Sequence, residues 1–436
     1  MNEVRLLSTT DMAVTHVVEN IGELVTVCSD SDDVAGPRRG SGLGAAGLVG
    51  SAALALAGGK VLGWGPQEEL TRALHEWPGI KTARRTDAHG NCVVPGWVDP
   101  HTHAVFGRTR QDEFERRIRG ESYLQIAAAG GGIHASVRDL RARSEQELVD
   151  LTVPRLREMV GHGTTTVEIK SGYGLTVDDE LKMLRAAGVA AREVGIRLVR
   201  TCLAAHELPP EYEGRRAQYV QLVTDEILPR VAAEKLAERC DVFCEPSVFG
   251  LADTETILTR AAELGLGLTV HADELEPLGG GALAARLGAQ SADHLIVIDE
   301  AGRSALAASD TVAVMLPGTV FTLGLVHFAP ARAMVDQGCA LALATDFNPG
   351  SCPILSMPLI QSMACTRMRL TPAESLVAAT LNAAWALGQA AEVGSLAPGK
   401  QADFLILDGE DHRLVAYRGG HNPVERVFIG GDEISA

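Results

Sequence analysis

Apolar and polar positions follow two periods through the middle of the chain. Short apolar runs bounded by turn residues occur at 97–103, 164–170, 197–206, 241–245, 267–271, 290–295, 312–316 and 340–346. Between them lie segments such as 178–194 and 254–264, where apolar positions recur every three to four residues. The first pattern predicts strands and the second amphipathic helices. Thr176, followed by acids, is a good start for the helix over 178–194. Eight strands alternating with helices predict a (β/α)8 TIM barrel over 96–390. A doubly wound open sheet is the alternative, but no Gly-x-Gly-x-x-Gly follows an early strand to support a nucleotide site.

The two ends read differently. Residues 12–28, 51–96 and 393–436 show short strands and turns, so residues 1–95 and 391–436 are expected to form one small composite β-sandwich domain. The stretch 29–50 is rich in Gly, Ser and Asp and is expected to be a flexible loop. No internal repeat is found.

Composition narrows the function. A balance of 39 basic against 56 acidic residues, net −17, argues against nucleic acid or an anionic membrane as partner. No apolar stretch reaches membrane-spanning length, and residues 1–19 lack the apolar core of a secretory signal. The eight cysteines are scattered, mostly within apolar runs. Cys240 and Cys244 have no second pair to complete a zinc site, so a reduced, cytoplasmic protein is expected.

The chemistry gathers at the predicted strand ends. In Asp99-Pro100-His101-Thr102-His103 the two histidines are i and i+2, so on a strand both imidazoles face one point. The second run ends in Lys170, with Tyr173 just beyond; later runs deliver His206, Glu245, His271, His294 and Asp346. Five of the 13 histidines fall on these ends, where barrel enzymes place working groups. His101, His103, His271 and Asp346 form a candidate ligand set suited to one divalent ion, zinc or iron. In His271-Ala272-Asp273-Glu274 the chain must turn after His271, which would swing Glu274 over the mouth to exchange protons with a substrate nitrogen. Asp273 and Glu276 read as solvated loop acids.

Several longer motifs carry a resemblance. They are the segment 95–103 (PGWVDPHTH), 168–175 (EIKSGYGL), 204–209 (AAHELP), 271–274 (HADE), 345–351 (TDFNPGS) and 394–403 (GSLAPGKQAD). With these the chain resembles the imidazolonepropionase family of the amidohydrolase superfamily from about residue 85 to its C-terminus. The first and last motifs mark only the superfamily; the segments with Tyr173 and Asp346 are more particular. The resemblance implies hydrolytic opening of the ring of 4-imidazolone-5-propanoate to N-formimidoyl-L-glutamate in histidine degradation, by attack of a metal-bound hydroxide. It implies the same four metal ligands, with Glu274, His294 and Asp346 in proton transfer. It also implies a substrate site of Arg110, Tyr173, His206, Glu274, Asn348, Gly350 and Ser351, and a homodimer. Arg110, rather than neighbouring Arg108, would clamp the substrate's propionate, because a guanidinium fork matches a carboxylate. Tyr123 is expected to be structural.

Binuclear members of the superfamily bridge two metals with a carboxylated lysine on the fourth strand. Here Lys170 ends the second strand and Glu245 the fourth, so a single metal is expected, with both residues supporting it from outside. A mononuclear deaminase of a nucleobase-like heterocycle shares the His-x-His, His-x-x-Glu and Asp pattern and is the competing enzyme reading. A scaffold barrel without catalysis is the non-enzymatic one, disfavoured because every ligand type is present.

Overall fold

A computed structural model describes residues 3–7, 12–28, 36–121, 125–126 and 129–434. Tyr123 and residues 29–35 of the expected loop lie outside these. Eight parallel strands form one sheet in chain order: Trp97–Asp99, Thr164–Lys170, Arg197–Ala205, Arg239–Cys244, Gly267–Ala272, Ser291–His294, Val312–Met315 and Leu341–Leu343. Helices separate most of them, so the sheet has the (β/α)8 order. Its strands are buried on both faces, which is why they read as near-continuous apolar runs.

Closure is made by the segments that follow the first and last strands. Pro100 has no N–H to give a ladder, so the first strand stops at Asp99 rather than at 103 as the sequence predicts. The chain stays extended nevertheless. The Asp346 N–H donates to the His101 carbonyl at 3.1 Å, the His103 N–H donates to the Phe347 carbonyl at 2.8 Å, and Thr102 pairs with Phe347 in a lone parallel bridge. On the other side the Lys170 N–H donates to the Thr102 carbonyl at 2.9 Å. The barrel therefore closes through the residues of the candidate metal centre.

The expected helices are present as Val177–Val194 and Leu251–Glu263. Thr176 caps the first, accepting from the Asp179 N–H, and Gly195 ends it in the left-handed conformation.

Both chain ends contribute to a second sheet of nine mixed strands. Cys92–Pro95 lies between an N-terminal strand, His16–Val25, and a C-terminal one, Phe404–Leu407, pairing parallel with the first and antiparallel with the second. Strands from both chain ends are thus joined in one continuous hydrogen-bonded sheet. Two features differ from expectation. Residues 67–73 form a helix that buries Leu70 and, just beyond its end, Leu74 against the sheet. The described part of the stretch read as a flexible loop is built into the fold. Gly40–Gly44 is a 3-10 turn with Leu43 fully buried, the Arg38 N–H donates to Asn382 Oδ1 at 2.8 Å, and Leu48 starts the strand Leu48–Ala57. At Gly47 the segment packs closely, since a Cβ there would lie 2.5 Å from Thr26 Oγ1, a use of glycine that composition does not separate from mobility. At the junction between the sheets, Gly96 has no room for a side chain: a Cβ would lie 2.2 Å from Thr165 Oγ1.

Candidate metal centre

His101 and His103 lie on the closing segment, His271 at the end of the fifth strand, His294 at the end of the sixth and Asp346 just past the eighth. All five are nearly inaccessible to solvent. Ligand atoms of His101, His103 and Asp346 lie within 4.8 Å of one another, and so do those of His101, His271 and His294. His101 belongs to both groups. Its Nε2 is 3.6 Å from Asp346 Oδ1, and His103 Nε2 is 3.5 Å from the same oxygen. Asp346 and His294 have positive φ (56° and 75°), as does Asp273 (49°), so three residues hold unfavourable backbone conformations at the barrel mouth.

Carboxylates orient two of the rings from behind. His101 Nδ1 hydrogen-bonds Asp293 Oδ2 at 2.6 Å, and His271 Nδ1 lies 2.9 Å from Asp241 Oδ2. At His101 the carboxylate fixes the proton on Nδ1 and leaves Nε2 as a lone-pair donor, the arrangement metal-binding histidines need, whereas Asp241 acts on His271 by its charge. Beneath them the wholly buried Lys170 ammonium is 2.8 Å from Glu168, 2.9 Å from Asp241 and 3.9 Å from Asp293. Burial would lower its pKa, but the three carboxylates outweigh burial and hold the charge on it. Lys170 is thus an ion-pair partner of the carboxylates behind the rings. Glu245 accepts the N–H groups of Glu274, Leu275 and Glu276, fixing the loop that carries Glu274.

Electrostatics favour neutral imidazoles. Burial, then the Lys170 charge, pushes His101 well below its ordinary pKa; burial also lowers His103 and His294, and takes His206 down to about 3. His271 is the exception, because the Asp241 carboxylate overcomes the effect of burial and raises it. The Asp346 carboxyl is raised by burial to about 6, opposed by the hydroxyl of Thr319, which donates to its Oδ2. Glu274 is raised to about 8, first by burial and then by the Asp346 charge, and stands 3.6 Å from His294 Nε2.

Buried nitrogens with no hydrogen-bond partner supply a direct test of fit. His101 Nε2, His103 Nδ1 and His294 Nδ1 are all in that state. An unpaired buried nitrogen costs free energy, and for His101 Nε2, which is turned toward Asp346, a divalent cation satisfies the need. Neutral imidazoles plus one carboxylate are a donor set suited to such an ion.

The remaining expected residues surround this centre. His206 stacks on His103 with centroids 5.0 Å apart, and the Tyr173 ring lies 5.4 Å from His206. Arg110 lies against Gly350, where a Cβ would be 2.3 Å from Nη1. Asn348 Oδ1 accepts the N–H groups of Gly350 and Ser351 at 2.8 and 2.7 Å, so these two amides are engaged within their own loop. Asp273 is not a solvated loop acid: it is buried and accepts from the N–H groups of Gly279, Gly280 and Gly281. Glu276 is exposed, as expected.

Sequence reasoning missed Asp241, Thr319 and Arg155. Arg155 lies over the Phe106 ring and donates to the carbonyls of Ala104, Phe106 and Gly107, holding the loop that leads to Arg110. Asp241 had a signal: a lone acid inside an apolar strand run needs a buried partner. Thr319 and Arg155 sit on helices with nothing unusual in their spacing.

Comparison with known proteins shows the family. The amidohydrolase family profile matches residues 92–434. An imidazolonepropionase of Symbiobacterium thermophilum is 48% identical over 416 residues, covering 95% of this chain and 96% of that one. One from Herpetosiphon aurantiacus is 46% identical, with the same coverage. Among solved structures, a zinc-bound adenosine deaminase from Xanthomonas campestris superposes with a TM-score of 0.69 at 19% identity, over 97% of this chain and 93% of that one. Guanine deaminase of E. coli gives 0.66 at 17%, over 96% and 99%. At these identities the structural likeness speaks for the fold. The chain belongs to the amidohydrolase family and, within it, to the imidazolonepropionases.

Proposed function

We propose that this chain is a metal-dependent hydrolase that opens the ring of 4-imidazolone-5-propanoate to N-formimidoyl-L-glutamate in histidine degradation. The observation that carries this reading is the gathering of His101, His103, His271, His294 and Asp346 at one end of the barrel, with His101 Nε2 lacking a partner. His101, His103, His271 and Asp346 would hold one divalent ion, zinc or iron, since nitrogen and oxygen donors accept either. When bound, the ion supplies the Lewis acidity that makes a water nucleophilic at neutral pH.

The residues around it do the rest. The Glu274 carboxyl, raised to about 8, holds a proton near neutral pH and can pass it to the ring nitrogen that leaves as the C–N bond breaks. His294, 3.6 Å from Glu274, orients that group and the attacking water. Asp346 takes the water's proton. Arg110 binds the propionate, Tyr173 and His206 bound the ring, and Asn348 shapes the loop of Gly350 and Ser351 that faces them. A cytoplasmic location is supported by eight cysteines, all free. No described helix is long and apolar enough to cross a membrane. The homodimer that the family resemblance implies belongs to the same reading.

Product analysis tests the reaction. Purified protein is expected to convert 4-imidazolone-5-propanoate to N-formimidoyl-L-glutamate without releasing ammonia. Ammonia release from a purine or pyrimidine, with the imidazolone untouched, would establish a deaminase instead.

A further inference from the structure

The rim beside the centre carries more positive charge than Arg110 alone. Helix Gln111–Ile118 begins directly after Arg110. Helical spacing puts Glu113 and Arg117 on the face below Arg110, about one and two turns on. The two arginines converge on Gly350, and Glu113 joins Arg110 to Gly132. Arg110 packs on Gly350, where its guanidinium occupies the space a side chain would take. Arg117 Nη1 donates to the Gly350 carbonyl at 3.0 Å. Glu113 takes Arg110 Nη2 at 2.6 Å with one oxygen and the Gly132 N–H at 3.1 Å with the other.

Glu113 is thus paired with Arg110, and among the described residues no carboxylate lies within ion-pair distance of Arg117. Arg117 hydrogen-bonds a carbonyl oxygen rather than an acid, and Arg110 Nε is buried without a partner. Burial and the like charge of Arg110 both work against Arg117. A positive excess of one, partly shielded from water, is unfavourable for folding and favourable for an anion.

We propose that Arg117 is a second substrate-positioning cation. With Arg110 it forms the seat for the carboxylate on the substrate's side chain, and through the Gly350 carbonyl it supports the surface on which Arg110 rests. One added carboxylate brings two guanidiniums and Glu113 to neutrality. The inference rests on the assignment of Arg110 in the function proposed above and extends specificity to heterocycles bearing a short carboxylate arm.

Kinetics of the metal-loaded protein with 4-imidazolone-5-propanoate and with its methyl ester test it. Arg117→Met is expected to raise KM for the acid by about tenfold or more, the scale of one charge-assisted hydrogen bond, with kcat within about threefold. Arg117→Lys is expected to retain most of the affinity, and on the ester Arg117→Met is expected to match the unaltered protein. Should Arg117→Met fail to fold, Arg117→Gln keeps a donor for the Gly350 carbonyl without the charge and is expected to show the same rise. An unchanged KM for the acid, or an equal rise on the ester, overturns the proposal. Arg110→Met separates the two levels. If it too leaves KM for the acid unchanged, the tail-binding role of Arg110 is wrong; if it raises KM while Arg117→Met does not, only the inference about Arg117 falls.

Discussion

At the scale of single residues, the centre depends on pairs in which one group acts and another fixes it. Glu274 sits on a loop held by Glu245, and its raised carboxyl is the proton carrier of the proposed reaction. Glu274→Gln keeps the shape but carries no exchangeable carboxyl proton, so kcat is expected to fall about 10²–10⁴-fold with the metal content unchanged. A kcat within threefold of the parent would remove Glu274 from catalysis. Gly350→Ala places a methyl group 2.3 Å from Arg110 Nη1, which must shift it; a raised KM with a smaller effect on kcat is the expected result in steady-state assays. At this scale the sequence was legible where a residue type is rare for its setting. Two histidines around one threonine and a carboxylate three residues after a strand-ending histidine both announce chemistry. Asp241, a lone acid in an apolar run, announced only that it needed a partner, and Thr319 and Arg155 announced nothing, because what they orient is brought to them by other parts of the chain. The sequence shows the candidate ligand; the groups that support it are visible only after folding.

Secondary elements were legible in kind and less so in extent. Thr164–Lys170 has the predicted limits, whereas the first strand ends four residues early at Asp99, before Pro100, and the last at Leu343 instead of 346. The lost residues are those that close the barrel with single hydrogen bonds instead of ladders. The long strand His16–Val25 carries a pH-sensitive group. His16 Nε2 hydrogen-bonds Thr86 at 2.9 Å, and Nδ1 faces Arg84 at 2.9 Å. Burial, then the Arg84 charge, takes its pKa from the ordinary 6.5 to about 4. Between these values the unfolded chain binds a proton that the folded chain refuses. The contribution of His16 to stability is therefore full above pH 6.5 and is lost as pH falls toward 4, by about 2–3 kcal/mol at most. Part of it is expected between pH 7 and pH 5 as the difference between parent and His16→Gln in denaturant unfolding; an equal change in both proteins would remove His16 from the pH response. Helix Glu145–Gly161 opens on a capping box in which Ser144 and Glu147 bond reciprocally, and Ser144→Ala is expected to cost about 1 kcal/mol in the same experiment.

Across the whole molecule, one strand segment links two sheets. Cys92–Pro95 joins the N- and C-terminal strands of the mixed sheet, and one residue later the chain enters the barrel at Trp97. The segments that follow the barrel's first and last strands then meet at His101, His103 and Asp346. A cation held there ties the closing segments together and stabilises only the folded state. Apo protein is accordingly expected to melt below the metal-loaded form, with zinc or iron restoring the difference. The alternation of strands and helices made this architecture readable, as did the change of character at both ends. The ordered packing of residues 36–50 was not readable, because small residues serve both close contact and mobility. The central claim, one hydrolytic metal per chain, is tested most directly by titrating metal-free protein with zinc or iron while following the loss of imidazolone absorbance. Activity is predicted to rise from zero and level off at one equivalent per chain; full turnover without metal, or a plateau only at two equivalents, would contradict it.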